Sequence, residues 1–283
     1  MTDTHSRWNI PVFKYLQSET CTLPVEAPTG VHKATRKNRE VSGKPIRLKY
    51  DLSILVPAYN EEKTISHCVN DLIQTLDGHN LCYEIIVVDD GSHDKTFELA
   101  KDAIECTSNN VIIVRHKSNG GKGNAIMTGL SLTTKDIIVI QDADMEYSSK
   151  NIPALIEPIL RGEADAVYGS RFIGQMDDMS LSHLFGNKVL TFFTNLLYHC
   201  KLTDVMTGHK AFRKAVLEQM EINSHSFEFE VEMTAKILER GFKIVELPTS
   251  YTRRKAGKAK IRWIDGMKCL IWLIRHKFAS KTR

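Results

Sequence analysis

Apolar positions along this chain follow two alternating rhythms from residue 51 onward. Leu52 to Val56, Glu84 to Asp89, Val111 to Arg115, Ile137 to Gln141 and Ala166 to Ser170 are short runs rich in β-branched residues and read as strands. Between them, about Glu62 to Leu76, Lys95 to Glu105, Gly123 to Leu132 and Ile152 to Leu160 place apolar residues at helical spacing. A β-α-β-α rhythm with short connections predicts an α/β fold in which a mostly parallel, Rossmann-like sheet is flanked by helices on both faces. After Arg171 the rhythm breaks. Ser182 to Tyr198 carries a helical stripe, about Glu228 to Arg240 reads as a helix closed by Gly241, and Phe242 to Leu247 as a further strand.

The ends of the chain differ from its middle. Residues 1–49 are polar and aperiodic, with Pro11, Pro24, Pro28 and Pro45 as punctuation, and read as a basic, largely irregular extension ahead of a domain spanning 50–250. Residues 251–283 form a basic C-terminal segment. In it Ile261 to Phe278 mixes Trp263, Ile264, Met267, Leu270, Ile271 and Ile274 with Arg262, Lys268, Arg275 and Lys277. That amphipathic, cationic pattern predicts a helix suited to a membrane interface, with packing on the core as the alternative.

At 283 residues and 42% hydrophobic content the chain can bury a substantial core. Its formal net charge of +4 is unevenly spread: Val31 to Tyr50 holds seven Lys/Arg against one Glu, and Tyr251 to Arg283 eleven against one Asp. Such segments favour an anionic surface or ligand. No helix-turn-helix, zinc-finger or RNP-like pattern directs them to nucleic acid. Six scattered cysteines without a C-x-x-C pair point to a reduced, cytoplasmic setting. No apolar run reaches the roughly 18 to 20 residues of a membrane span, so contact with the cytosolic membrane face would be peripheral.

The chemistry concentrates where strands end. Ile137-Ile138-Val139-Ile140-Gln141 runs abruptly into Asp142-Ala143-Asp144, and i, i+2 spacing in extended chain turns both carboxylates to one side. Hard oxygen ligands at a strand's carboxyl end suit Mg²⁺ or Mn²⁺. The other predicted strands also end in polar groups: Tyr59-Asn60-Glu61, Asp89-Asp90-Gly91-Ser92, His116 to Gly123, and Gly169-Ser170-Arg171. Five strand ends would line one crevice. There Asp89 or Asp90 can accept hydrogen bonds from a base or ribose, Gly120 to Gly123 permit close backbone approach, and Lys122 can face phosphate.

In this order, Pro57-Ala58-Tyr59-Asn60-Glu61, Val88-Asp89-Asp90-Gly91-Ser92, Gly121-Lys122-Gly123-Asn124-Ala125, Asp142-Ala143-Asp144-Met145-Glu146-Tyr147 and Gly169-Ser170-Arg171-Phe172 resemble the motifs of family 2 glycosyltransferases, which have the GT-A fold. Thr203 to Arg213, Phe227 to Glu230 and Gly257 to Gly266 extend the likeness to dolichyl- or polyprenyl-phosphate mannosyl- and glucosyltransferases. The resemblance implies that Pro57, Tyr59, Glu61 and Asp89 hold the nucleoside of a nucleotide-sugar donor, with Asp90, Lys122 and Gly123 in the same donor site. It places Asp142, Asp144 and Glu146 around a metal ion, and Arg171 near the diphosphate. Met127 and Glu146 depart from the residues usual in relatives, which are often Arg at the first position and Gln or Ser at the second.

The expected reaction is an inverting transfer of a hexose to a lipid phosphate, which is already ionised and needs no strong base. A hydroxyl acceptor would need one, and Asp204 is then the leading candidate. Arg253, Arg254, Lys258, Lys260 and Arg262 supply cations for a phosphate acceptor. Transfer to a glycan or small-molecule hydroxyl, and a non-catalytic nucleotide-sugar-binding role, are the competing readings.

Overall fold

The computed structural model describes residues 51–105, 111–174, 176–177, 181–254 and 263–280. The extension at 1–49 and the Lys258, Lys260 and Arg262 part of the expected cationic cluster lie outside the described residues. In chain order the strands are β1 (Asp51–Ala58), β2 (Cys82–Asp89), β3 (Val111–Arg115), β4 (Ile137–Ile140), β5 (Ala166–Ser170), β6 (Met176–Asp177), β7 (Lys210–Arg213), β8 (Ile244–Pro248) and β9 (Tyr251–Thr252). The helices are α1 (Ile65–Gly78), α2 (Thr96–Glu105), α3 (Lys122–Leu132), α4 (Ile152–Leu160), α5 (Leu181–Tyr198), α6 (Lys214–Glu218), α7 (Glu228–Glu239) and α8 (Trp263–Ser280).

Seven strands form one sheet in the order β3-β2-β1-β4-β7-β5-β8. All neighbours are parallel except β7, which runs antiparallel to both β4 and β5. This strand is absent from the pattern read off the sequence. Lys210-Ala211-Phe212-Arg213 is four residues long and charged at both ends, so its strand character comes from burial between two neighbours rather than from local propensity.

Alternation along the strands divides the core. Leu52, Ile54 and Val56 of β1 face α1, α2 and α4, while Leu55, with Ile86, Val88, Ile138 and Ile140, faces α3 and α7. A third cluster joins α5, α7 and α8 through Leu190, Val231, Ala235, Cys269 and Leu273. Helix α7 ends as expected at Gly241, whose φ of 74° lets its amide and that of Phe242 bond back to Leu238 and Ile237. Helix α1 begins three residues later than expected because Glu62 to Thr64 form a turn on the Glu61 carbonyl.

Parallel register aligns the strand ends. Ala58 stands beside Asp89, and Leu55 beside Ile140, so the residues following β1, β2 and β4 emerge on one edge. The antiparallel strand delivers its beginning to that same edge, with Lys210 paired to Ile140. Phe212 is fully buried and packs edge-on against Tyr168 of β5. Phe212→Ala is expected to lower unfolding free energy by about 3 to 5 kcal/mol in urea titrations, through lost burial and the cavity left behind.

Candidate active site

The strand ends surround a cavity of about 990 Å³. Its wall includes Pro57, Tyr59, Glu61, Asp90, Lys122, Asp142, Asp144, Glu146 and Arg171 from the expected set, together with Arg254 and Glu230. Asp89, Gly123 and Asp204 are not among the lining residues.

The β1 end is set by its neighbour. Asn60, at φ 50°, donates its amide to Ser92 Oγ at 2.9 Å, and the Glu61 amide donates to Thr96 Oγ1 at 2.7 Å. Ser92 in turn donates its hydroxyl and its amide, the latter at 3.1 Å, to Asp89 Oδ1. Arg115 Nε lies 3.1 Å from the other Asp89 oxygen. Asp89 is fully buried, and burial raises its carboxyl despite Ser92 and Arg115. These bonds let one Asp89 oxygen hold the Tyr59–Asn60 turn from behind, and Asp89 is not among the residues that line the cavity.

Asp90, on the cavity side, is equally engaged. It accepts the amides of Gly120 and Gly121 at 2.9 and 2.7 Å, the Asn119 side-chain amide at 2.9 Å, and a contact from His116 Nδ1 at 2.7 Å. This clasp fixes the loop entering α3. Gly121 takes φ 95°, and a Cβ at Gly123 would run into Ser224 O, so this glycine serves to seat the first turn of α3 on the chain before α7. Lys122 is the first residue of that helix.

Beyond β4 the two aspartates face different cations. Lys122 Nζ sits 2.8 and 3.0 Å from the Asp142 oxygens and 2.9 Å from Glu230 Oε1. Asp144 pairs with Arg254, whose guanidinium also lies 3.2 Å from Glu61 Oε1 and 3.8 Å from Glu146 Oε1. Of the expected trio, Asp142 is paired with Lys122, while Asp144 and Glu146 share Arg254. Among the described residues no three His, Cys, Asp or Glu side chains are grouped to hold a metal ion. The donor chemistry nonetheless fits a hard divalent cation. Burial and the adjacent Asp144 push the Glu146 carboxyl up to about 7 even with Arg254 in contact. Gly208 on the β7 approach lets the backbone pass close to Asp142, where a Cβ would collide with Oδ2.

Arg171 closes the far side. Asp204 accepts its Nε and Nη2 at 2.7 Å each and its backbone amide at 3.1 Å. Glu246 holds Asp204 from behind, accepting the Thr203 and Asp204 amides at 2.7 and 2.9 Å. Asp204, the residue expected to act as base for a hydroxyl acceptor, is fully buried with both its oxygens on the Arg171 guanidinium. Residues the sequence reading left out are Lys210, which is fully buried against Glu230, and Glu246. Arg254 was grouped only with the cations for phosphate. The Phe227-Glu228-Phe229-Glu230 run was the one available signal for Glu230.

Residues 53–221 match the glycosyl transferase family 2 model. The chain belongs to that family and is a glycosyltransferase. It is 34% identical to the UDP-N-acetylglucosamine–dolichyl-phosphate N-acetylglucosaminyltransferase of Methanococcus voltae, over 70% of this chain and 85% of that protein. It is 27% identical to the polyprenol monophosphomannose synthase of Mycolicibacterium smegmatis, over 74% of this chain and 80% of the relative. The fold is similar to glucosyl-3-phosphoglycerate synthase of Mycobacterium tuberculosis crystallised with Mn²⁺, UDP and glucosyl-3-phosphoglycerate, with a TM-score of 0.65 at 21% identity, covering 81% of this chain and 80% of that one. The mostly parallel α/β sheet is thus of the GT-A type.

Glu146 gives this site a pH signature. Its folded value of about 7 lies above the ordinary 4.5, so its stabilising share is complete below 4.5 and is lost as pH rises to 7. In EDTA, Glu146→Gln is expected to gain roughly 1 to 3 kcal/mol over the parent across that window and to hold the gain above it, read by thermal unfolding from pH 5 to 8.

Proposed function

We propose that this enzyme is an inverting hexosyltransferase that uses a nucleoside diphosphate sugar of the GDP-mannose or UDP-glucose type and Mg²⁺ or Mn²⁺ to glycosylate a polyprenyl or dolichyl phosphate. The observation that carries the reading is the change of character within one cavity. Its wall combines Asp142, Asp144, Lys122, Arg171 and Arg254 with Phe185, Val189, Leu190, Trp263, Met267 and Leu270 of α5 and α8. The charged part of the wall suits a diphosphate and a phosphate, and the apolar part contributed by α5 and α8 suits the first units of a lipid tail. Relatives named for dolichyl-phosphate and polyprenol substrates support the same acceptor.

Pro57, Tyr59, Glu61 and Asp90 border the part of the cavity assigned to the nucleoside, with Asp89 acting through Ser92. Asp142, Asp144 and Glu146 would hold the cation, which when bound neutralises charge on the leaving diphosphate. The acceptor phosphate oxygen attacks the anomeric carbon as the bond to the diphosphate breaks and its electron pair leaves with that group. Arg171, kept rigid by Asp204, and Lys122 present positive charge to the departing anion. An acceptor that is already ionised needs no proton removed, which agrees with Asp204 being committed to Arg171.

Helix α8 buries Cys269 and Leu273 against α5 and α7 but leaves Trp263 82% and Phe278 61% exposed, and α5 leaves Phe185 72% exposed. A helix satisfied by packing alone would turn polar residues outward. These side chains, with Lys268, Arg275 and Lys277, suit a peripheral seat on the cytosolic membrane face. Among the described residues no helix is long and apolar enough to cross a membrane.

With radiolabelled nucleotide sugar, Mn²⁺ and a polyprenyl phosphate, label is expected in the organic extract. Asp144→Ala or EDTA should cut that transfer on the order of a hundredfold or more. Label found only in water-soluble product would overturn the lipid acceptor, and full activity in EDTA the metal. Trp263→Glu with Phe278→Glu is expected to weaken binding to anionic vesicles about tenfold or more in sedimentation assays; unchanged binding would overturn the membrane seat.

A further inference from the structure

Behind Asp142 and Lys122 the chain of buried charge continues into two residues, Glu230 and Lys210, that the reaction as described does not use. Lys122 bridges Asp142 and Glu230, and Glu230 divides its carboxylate, giving Oε1 to Lys122 and Oε2 to Lys210. Lys210 is completely buried and donates also to the Val205 carbonyl at 3.0 Å. Two anions and two cations alternate, so the set is neutral as a whole. Glu230 sits in the first turn of α7, where an acid ordinarily favours a helix start through the dipole. Here its carboxylate points inward instead, onto lysines from α3 and β7.

We infer that Glu230 is a positioning residue: it holds Lys122 in the cavity wall from the side opposite Asp142, so that the ammonium stays aimed at the donor's diphosphate when Asp142 turns to a cation. The inference rests on the nucleotide-sugar reading above. Neutralising Lys210 requires only one Glu230 oxygen, yet the second is spent on the lysine that faces the cavity. With that anchor, Lys122 keeps a partner when Asp142 turns to a cation, and its ammonium remains presented to an incoming anion. Without it, Asp142 is the remaining carboxylate on Lys122, and the pair competes with both cation and diphosphate.

The test must keep the interior charge balanced, because removing one member strands another in the core. Glu230→Gln combined with Lys210→Met removes one charge of each sign. Glu230→Asp keeps the charge but shortens the side chain by one methylene, so that it no longer spans both lysines. Isothermal titration with UDP, GDP and Mn²⁺ on the full chain is expected to show nucleoside diphosphate and Mn²⁺ binding weakened about tenfold or more in either folded variant. The donor KM should rise by more than kcat falls, with cooperative thermal unfolding retained. If a folded variant binds both within twofold of the parent while only its Tm drops, Glu230 is a structural ion-pair partner and the inference is overturned. A parent chain that binds no nucleoside diphosphate would instead overturn the donor reading, and this inference with it.

Discussion

Charge removed from water has to be met by opposite charge, and at the carboxyl edge of this sheet that requirement organises the molecule. The acids Asp142, Asp144, Asp204 and Glu230 are answered by Lys122, Arg254, Arg171 and Lys210, and no partner is a sequence neighbour of the acid it answers. Pairs of this kind add little net stability, since desolvation offsets much of the attraction, but breaking one costs about 3 to 5 kcal/mol. Their effect is to specify. For the linked set Asp142, Lys122, Glu230 and Lys210, strands β4 and β7 and helices α3 and α7 must all be in place before the charges can be buried without penalty.

The same pairing sets what the cavity can do before any ligand enters. Arg171 is immobilised by a planar two-bond contact that a lysine would not reproduce. Lys122 and Arg254, by contrast, lie on carboxylates that a divalent cation would also claim.

Much of this was readable in the sequence, and the failures have physical causes. Strands β1 to β5 announce themselves as apolar runs bounded by polar residues, and the abrupt change after Ile140 places Asp142 and Asp144 at a strand end. Partner choice was not readable. Asp89 and Asp90 are adjacent, so alternation assigns them to opposite sides, but which side meets the cavity depends on how β3 and α3 close over β2. Nothing local in the sequence pairs Asp204 with Arg171 or sets Glu246 of β8 against its amide. Strand β7 escaped because its lysine is buried by tertiary contacts that no local pattern encodes, and Glu230 lost its meaning with it.

Placing β7 between β4 and β5 also governs the order in which the chain can mature as it is made. Strand β5 pairs with β7 and β8, both of which follow it in the chain. On the ribosome, β1 to β4 can associate as they emerge, whereas Ala166–Ser170 has neither edge satisfied until Arg213 has been synthesised. The nascent enzyme thus passes through an interval with an apolar strand and its backbone amides unpaired, the condition that invites chaperone capture or aggregation.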